Sequence, residues 1–169
     1  MSIFRNYEYY KEEIELALIQ NACVEIELYS IIASMIRESK SPYKLSVRDV
    51  SARRRSGISE RFHGKAGFPD FVLLKREKIV NADIYGCIEV KMPSVLFEDT
   101  YGQLEGHMQS FQKVLFTNGI RWVFMDGSME NISFDVTLGT MRNGKIFWNT
   151  EDKWRELLGE IDSIAWYLK

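Results

Sequence analysis

The sequence contains little cysteine, no long apolar run and no large excess of charge of one sign. Its two cysteines, Cys23 and Cys87, do not form a Cys-x-x-Cys pair, which argues against zinc and iron–sulfur sites and fits a reducing cytoplasm. No apolar stretch reaches membrane-spanning length and residues 1–6 do not resemble a signal peptide, so we expect no membrane partner. The net charge of −2 does not by itself indicate a nucleic-acid binder.

The chain also lacks linkers, internal repeats, low-complexity tracts and an ATPase motif. Its 169 residues, 46% of them hydrophobic and 27% charged, are enough for one domain with a real core and too few for two. We therefore expect a single domain over residues 1–169.

Apolar periodicity and turn signals predict an alternation of helices and strands. The predicted order is helix, three strands, helix, further strands and a closing helix. The predicted elements are a helix over 9–38, strands over 43–50, 70–75 and 84–91, and a helix over 98–111. A hairpin over 113–126 follows, with its turn at Asn118-Gly119, and then a strand over 132–138. The Asn143-Gly144 turn is expected to bring a strand over 145–148 back against the strand over 132–138, and Asn149 or Thr150 caps a final helix.

Charged residues stand at the ends of two predicted strands. Asp70 opens one strand after the turn at residues 67–69, and Glu89 and Lys91 close the next. Because side chains alternate along a strand, Glu89 and Lys91 share one face, with Val90 turned away. If the two strands pair, Asp70 joins them. Two carboxylates and an ammonium group then converge at the edge of an apolar sheet.

This combination of groups suits phosphodiester chemistry. Two carboxylates can hold Mg²⁺ and leave coordination positions for water and a phosphate oxygen; the ion then activates water and neutralises charge in an in-line displacement. The run Pro69-Asp70 … Glu89-Val90-Lys91 resembles the signature of the PD-(D/E)xK nuclease superfamily. The resemblance implies an α/β (α+β) fold with a restriction-endonuclease-like core, a mixed central β-sheet flanked by helices. It also implies that Asp70 and Glu89 bind Mg²⁺, for which Mn²⁺ can substitute, and that Lys91 positions the nucleophile.

Glu25 is a further candidate carboxylate. On a helical wheel for a continuous first helix it lies at the centre of the apolar face, with Glu27 almost opposite. A carboxylate that faces the core is costly unless it has a partner. Two interpretations stay open: Glu25 extends to solvent or pairs with a buried arginine, or it points at the metal site. The resemblance implies the second, in which Glu25 supports the metal or its water.

Gln103 lies in the helix that follows the Glu-x-Lys strand. The nuclease domains of type I restriction enzymes, which this region resembles, often carry Gln-Leu-x-x-Tyr there, followed by a strand and a Thr-Asn-Gly turn. Here the series reads Gln103-Leu104, then His107 in place of the tyrosine, and then Thr117-Asn118-Gly119. The resemblance implies that Gln103 orients water or Lys91; the alternative is an ordinary surface glutamine. The role of His107 stays open.

A basic loop precedes Asp70. Against one acid, Glu60, it carries five basic residues: Arg53, Arg54, Arg55, Arg61 and Lys65. Most charge clusters are solvated surface turns. The position of this one, at the mouth of the predicted metal site, favours contact with the phosphates of a nucleic acid.

These observations predict a Mg²⁺-dependent endonuclease or exonuclease that hydrolyses DNA phosphodiester bonds. Two alternatives remain: a catalytically inactive relative that binds nucleic acid or assembles with other proteins, and a protein-interaction domain in which Asp70, Glu89 and Lys91 form a structural ion pair. We expect DNA as the partner, and a homodimer or a partner subunit to supply specificity.

Overall fold

A computed structural model of the protein describes residues 3–22, 24–39, 45–52 and 56–167. The fold is mixed α+β, with a central six-stranded sheet between helices. The α-helices and strands, in chain order, are α1 Tyr7–Asn21, α2 Tyr29–Arg37, β1 Leu45–Asp49, β2 Phe71–Lys75, β3 Ile84–Val90, α3 Tyr101–Phe111, β4 Lys113–Thr117, β5 Arg121–Asp126, β6 Ile132–Thr137, β7 Gly139–Arg142, β8 Lys145–Trp148 and α4 Glu151–Ser163. Short 3₁₀ turns cover Ile3–Arg5, Glu25–Leu28, Ser59–Phe62 and Glu98–Thr100.

The strands of the central sheet follow chain order from β1 to β6. Only the β3–β4 pair is parallel, and α3 makes the crossover between these two strands; the other pairs are antiparallel. This is the predicted mixed sheet flanked by helices, and it is consistent with a restriction-endonuclease-like core. Within the described ranges, no helix combines the length and the apolar character needed to cross a membrane.

Alternation along the central strands gives the sheet two apolar faces. Phe71 and Leu73 pack into one core with α1, α2 and α4, whereas Val72 and Leu74 pack into a second core beneath α3. Because β2 and β3 are covered on both sides, their sequences are almost continuously apolar. A charged residue at the end of such a strand is therefore carried into a buried position.

The N-terminal region differs from the prediction of one helix over 9–38. Helix α1 ends at Asn21, and Ala22 adopts a left-handed conformation with φ of 50°. A 3₁₀ turn over Glu25–Leu28 then leads into α2; Cys23 lies outside the described residues. The apolar spacing missed this break because both helices bury their apolar stripe in the same core.

Both predicted Asn-Gly turns are present, but the second joins a different pair of strands from the one expected. Asn118-Gly119 turns the β4–β5 hairpin, with Gly119 at φ of 85° and Asn118 Oδ1 accepting from the Arg121 amide at 2.8 Å. The turn at 143–144, in contrast, joins β7 to β8 in a separate two-stranded sheet and does not fold back onto β6. The sequence pattern could not show that the chain leaves the main sheet after Thr137. Thr150 is the N-terminal cap residue of α4.

Candidate active site

Asp70 is fixed by the tight turn that precedes β2. The amides and carbonyls of Gly64 and Gly67 bond each other at 2.9 and 3.0 Å, and Gly67 has a φ of 91° that side chains disfavour. The Asp70 carbonyl accepts from the Val50 amide at 3.0 Å, which ties the residue to the end of β1. The Asp70 side chain is thus buried at the point where the apolar strand begins.

Asp70 and Glu89 lie side by side on the face of the sheet covered by α3. The ladder pairs Phe71 with Ile88, so the two carboxylate residues are the next neighbours on adjacent strands. The Val90 amide donates to Asp70 Oδ2 at 2.7 Å. The strand register therefore brings together the two carboxylates that the sequence singled out.

Three side chains hold the Glu89 carboxylate. Lys91 Nζ and Gln103 Nε2 both reach Oε1, at 2.5 and 2.6 Å. His107 Nε2 lies 3.0 Å from Oε2. Glu89 is 2% exposed, so these contacts replace water around a buried charge. Gln103 is not an ordinary surface glutamine, because its amide is directed into this cluster.

Helix α3 can reach Glu89 because it packs closely on the turn before Asp70. A Cβ atom on Gly106 would lie 2.7 Å from the Cβ of Ala66, far inside van der Waals contact. Glycine at this position removes that clash, and Gln103 and His107, on either side of Gly106, both meet Glu89.

Glu25 approaches from the 3₁₀ turn before α2. Its Oε2 lies 3.8 Å from Lys91 Nζ, and its side chain is 35% exposed. The direction toward Lys91 agrees with the expectation, but the residue is less buried than a core-facing position on a continuous helix would be. Glu27 is also partly exposed and accepts from Asn21 Nδ2 at 2.7 Å.

Tyr29 joins Asp70 to the same turn. Its hydroxyl donates to Asp70 Oδ1 and lies 3.4 Å from Glu25 Oε1. Its ring packs edge-on against Phe71 at 5.2 Å between centroids. Burial, followed by the bond to the Asp70 carboxylate, raises the pKa of Tyr29, so the hydroxyl stays protonated and acts as a donor.

The cluster has an excess of negative charge. Burial, and next the charge of Glu89, raises the pKa of Asp70 to about 7. Burial also raises the pKa of Glu25, against the opposing effect of Lys91. Burial alone would lower the pKa of Lys91, but Glu89 and Glu25 raise it above its ordinary value. Three carboxylates thus share one ammonium group.

The donor set fits a small divalent cation. Among the residues that the structure describes, no group of three or more His, Cys, Asp or Glu side chains is arranged to hold a metal ion alone. Mg²⁺, however, is commonly held by one or two carboxylates, with water and substrate phosphates as the remaining ligands. Asp70 and Glu89 would be those ligands, with Glu25 close by, and a cation would relieve the repulsion that raises the pKa of Asp70.

The cluster opens to solvent on the side of Lys91 and Glu25. Lys91 is 16% exposed, whereas Glu89 and Asp70 lie deeper. Two cavities of about 400 and 280 Å³ lie elsewhere on the surface and are not lined by these residues. A reactant would therefore meet Lys91 and Glu25 before the buried carboxylates.

The structure describes only two of the five basic residues of the loop before Asp70, Arg61 and Lys65. Arg53, Arg54 and Arg55 lie outside the described residues. Arg61 Nη2 donates to the Ala82 carbonyl at 2.8 Å, and the guanidinium lies 4.9 Å from the Phe62 ring centroid, so its role here is in packing. Lys65 is exposed. Contact of these residues with phosphate stays a prediction.

Tyr29 and His107 were not identified as site residues from the sequence. His107 is fully buried, and its contact with Glu89 comes from the same helix face as that of Gln103, four residues earlier. Tyr29 stands four residues after Glu25, and its hydroxyl lies 3.4 Å from Glu25 Oε1. The i, i+4 spacing from Gln103 could have identified His107.

Comparisons with known proteins support the fold and go no further. No protein-family model matches the chain, and no curated protein is detectably similar in sequence. Among solved structures, the chain is similar to one in the cryo-electron microscopy structure of the DrdV–DNA complex, with a TM-score of 0.58 and 11% identity over 94% of this chain. It spans 14% of that larger chain. At this identity, the likeness shows a shared fold alone.

Proposed function

We propose that this protein is a Mg²⁺-dependent nuclease of the PD-(D/E)xK type that hydrolyses DNA phosphodiester bonds. The observation that carries the proposal is the convergence of Asp70, Glu89 and Lys91 at one end of β2 and β3, with Lys91 Nζ 2.5 Å from Glu89 Oε1. Two buried carboxylates that can hold a cation, beside an ammonium group on the solvent side of the cluster, supply the charge stabilisation that in-line displacement at phosphorus requires.

The residues have separable roles in this proposal. When bound by Asp70 and Glu89, Mg²⁺ would polarise the phosphate and lower the pKa of a water ligand. Lys91 remains cationic, so it can orient the attacking water and stabilise negative charge on the phosphate. Gln103 donates to Oε1 of Glu89, the oxygen that Lys91 also contacts, and so helps to set the position of Lys91. Glu25 faces Lys91 from the solvent side and would accept a hydrogen bond from the water.

DNA as the substrate is supported by two observations of different kinds. The fold is similar to part of a protein whose solved structure is a complex with DNA. The exposed Lys65 belongs to the loop that leads into Asp70, where a phosphate backbone would have to pass.

The test is incubation of the purified protein with linear, circular, single-stranded and branched DNA in Mg²⁺ or Mn²⁺. We expect cleavage of at least one form, abolished by EDTA and by Glu89→Gln. Glu105→Gln, an exposed change on α3, is the matched control and should cleave normally. Failure to cut every form under both metals would contradict the proposal.

A second candidate is a binding module in which the charged cluster is purely structural. It is favoured by the completeness of the Glu89 network, in which Lys91, Gln103 and His107 already contact both carboxylate oxygens. Calorimetry with Mg²⁺ or Mn²⁺ separates the two candidates: the structural ion pair predicts no binding, and the nuclease predicts binding that Asp70→Ala or Glu89→Gln removes.

A further inference from the structure

Helix α3 contacts the two oxygens of Glu89 separately. Gln103 Nε2 donates to Oε1 at 2.6 Å, and His107 Nε2 lies 3.0 Å from Oε2. The two residues are one helical turn apart, so their side chains leave the same face of α3. Lys91 bonds only Oε1, at 2.5 Å. Oε1 of Glu89 is therefore held by Lys91 and Gln103, and Oε2 is held by His107.

One nitrogen of the His107 ring, Nε2, has a hydrogen-bond partner, and the other, Nδ1, has none among the described residues. A carboxylate oxygen only accepts, so Nε2 must carry the hydrogen in the contact with Glu89. Nδ1 is buried and has no hydrogen-bond partner among the described residues. Buried polar atoms without partners are uncommon in folded proteins. Packing alone would be served equally well by phenylalanine, so the contact with Glu89 is what this histidine provides.

We infer that His107 is a positioning residue, which with Gln103 clamps the Glu89 carboxylate in the orientation needed for divalent-cation binding. This inference rests on the proposed function. By holding Oε2, His107 keeps Glu89 from turning both oxygens toward Lys91. Hydrogen bonds to a ligating carboxylate commonly decide how well it binds metal.

The first measurement is ¹⁵N NMR of the His107 ring in the metal-free wild-type protein. We expect hydrogen on Nε2, because a ring that carries hydrogen on Nδ1 alone cannot donate to Glu89. A ring with its hydrogen on Nδ1 would overturn the clamp whatever the protein binds. This measurement needs no variant, so it does not depend on how a substitution folds.

The second measurement is Mn²⁺ affinity by calorimetry, a readout independent of DNA cleavage. His107→Phe keeps the aromatic volume and removes the donor, and we expect binding weaker by about 10- to 100-fold. His107→Gln keeps an N–H donor and should restore most of the affinity. Met108→Leu, a change at a buried neighbour, is the packing control and should bind as the wild type does.

The two proposals fail in different ways. If the wild type binds Mn²⁺ and His107→Phe binds it equally well, the clamp is refuted and the nuclease proposal stands. If the wild type binds no Mn²⁺, the proposed function is refuted and the clamp with it.

Discussion

Asp70 offers a test that needs neither metal nor DNA. The residue is 7% exposed, and burial together with the nearby Glu89 charge raises the pKa of its carboxyl group from 3.8 to about 7. In the unfolded chain it titrates near its ordinary value, so between these two values the folded state binds the extra proton. The contribution of Asp70 to stability is therefore present at low pH, falls as pH rises from about 4, and is lost above about 7.

Asp70→Asn removes this titration while keeping the size of the side chain. A pKa shift of about three units, at about 1.36 kcal/mol each, limits the pH-dependent contribution of Asp70 to the free energy of unfolding to about 4 kcal/mol. The asparagine amide nitrogen cannot accept a bond, so one of the donors, Tyr29 or Val90, loses its partner at a cost of about 1–3 kcal/mol. We expect the variant to be less stable than the wild type near pH 4. Between pH 4 and pH 8 its free energy of unfolding should rise relative to that of the wild type by up to about 4 kcal/mol.

The assay is urea unfolding of both proteins in a chelating buffer across this pH range. Gln109→Asn, at an exposed residue that does not titrate, is the control and should show a difference from the wild type that is constant with pH. A constant difference for Asp70→Asn as well would contradict the raised pKa, because it would mean that Asp70 is ionised across this pH range in the folded protein.

Three further predictions concern Lys91, Tyr29, and the pair of Arg61 and Lys65. Lys91→Ala should still bind Mn²⁺ by calorimetry but lose about 100- to 1000-fold in single-turnover cleavage; cleavage at the wild-type rate would remove the lysine from the mechanism. Tyr29→Phe should weaken Mn²⁺ binding near neutral pH, because the hydroxyl bond lowers the pKa of Asp70 and its loss leaves the carboxyl group more protonated; equal affinity would contradict this. Arg61→Ala should cost about 1–3 kcal/mol in urea unfolding, whereas Lys65→Ala should flatten the salt dependence of duplex-DNA binding by about 0.9 in log–log slope. The opposite assignment of these two effects would show that Arg61 is the phosphate contact.

The sequence predicted the central sheet and the placement of Asp70 and Glu89 on one face. Strand alternation has a period of two, and pairing of adjacent strands then leaves few choices for which side chains meet. The β4–β5 hairpin was equally accessible, because Asn118-Gly119 is a local signal. These parts depend on short-range rules that a single sequence carries.

Other features depend on tertiary contacts that leave no such signal. The break after α1 depends on Ala22 in a left-handed conformation, which neither composition nor periodicity marks. The bond from Tyr29 to Asp70 and the contact of His107 with Glu89 join residues far apart in the chain. The roles of both residues became visible only when the packing of α2 and α3 on the sheet was known.

The cation site at Asp70 and Glu89 is tested by a calorimetric titration of the wild-type protein with Mn²⁺ slightly below neutral pH. We expect about one ion per chain, with release of a proton because the raised pKa of Asp70 falls on binding. Proton release is read by repeating the titration in buffers with different ionisation heats, and binding should be lost in Glu89→Gln. Absence of binding, or binding unchanged in Glu89→Gln, would contradict the assignment of this cluster as a cation site.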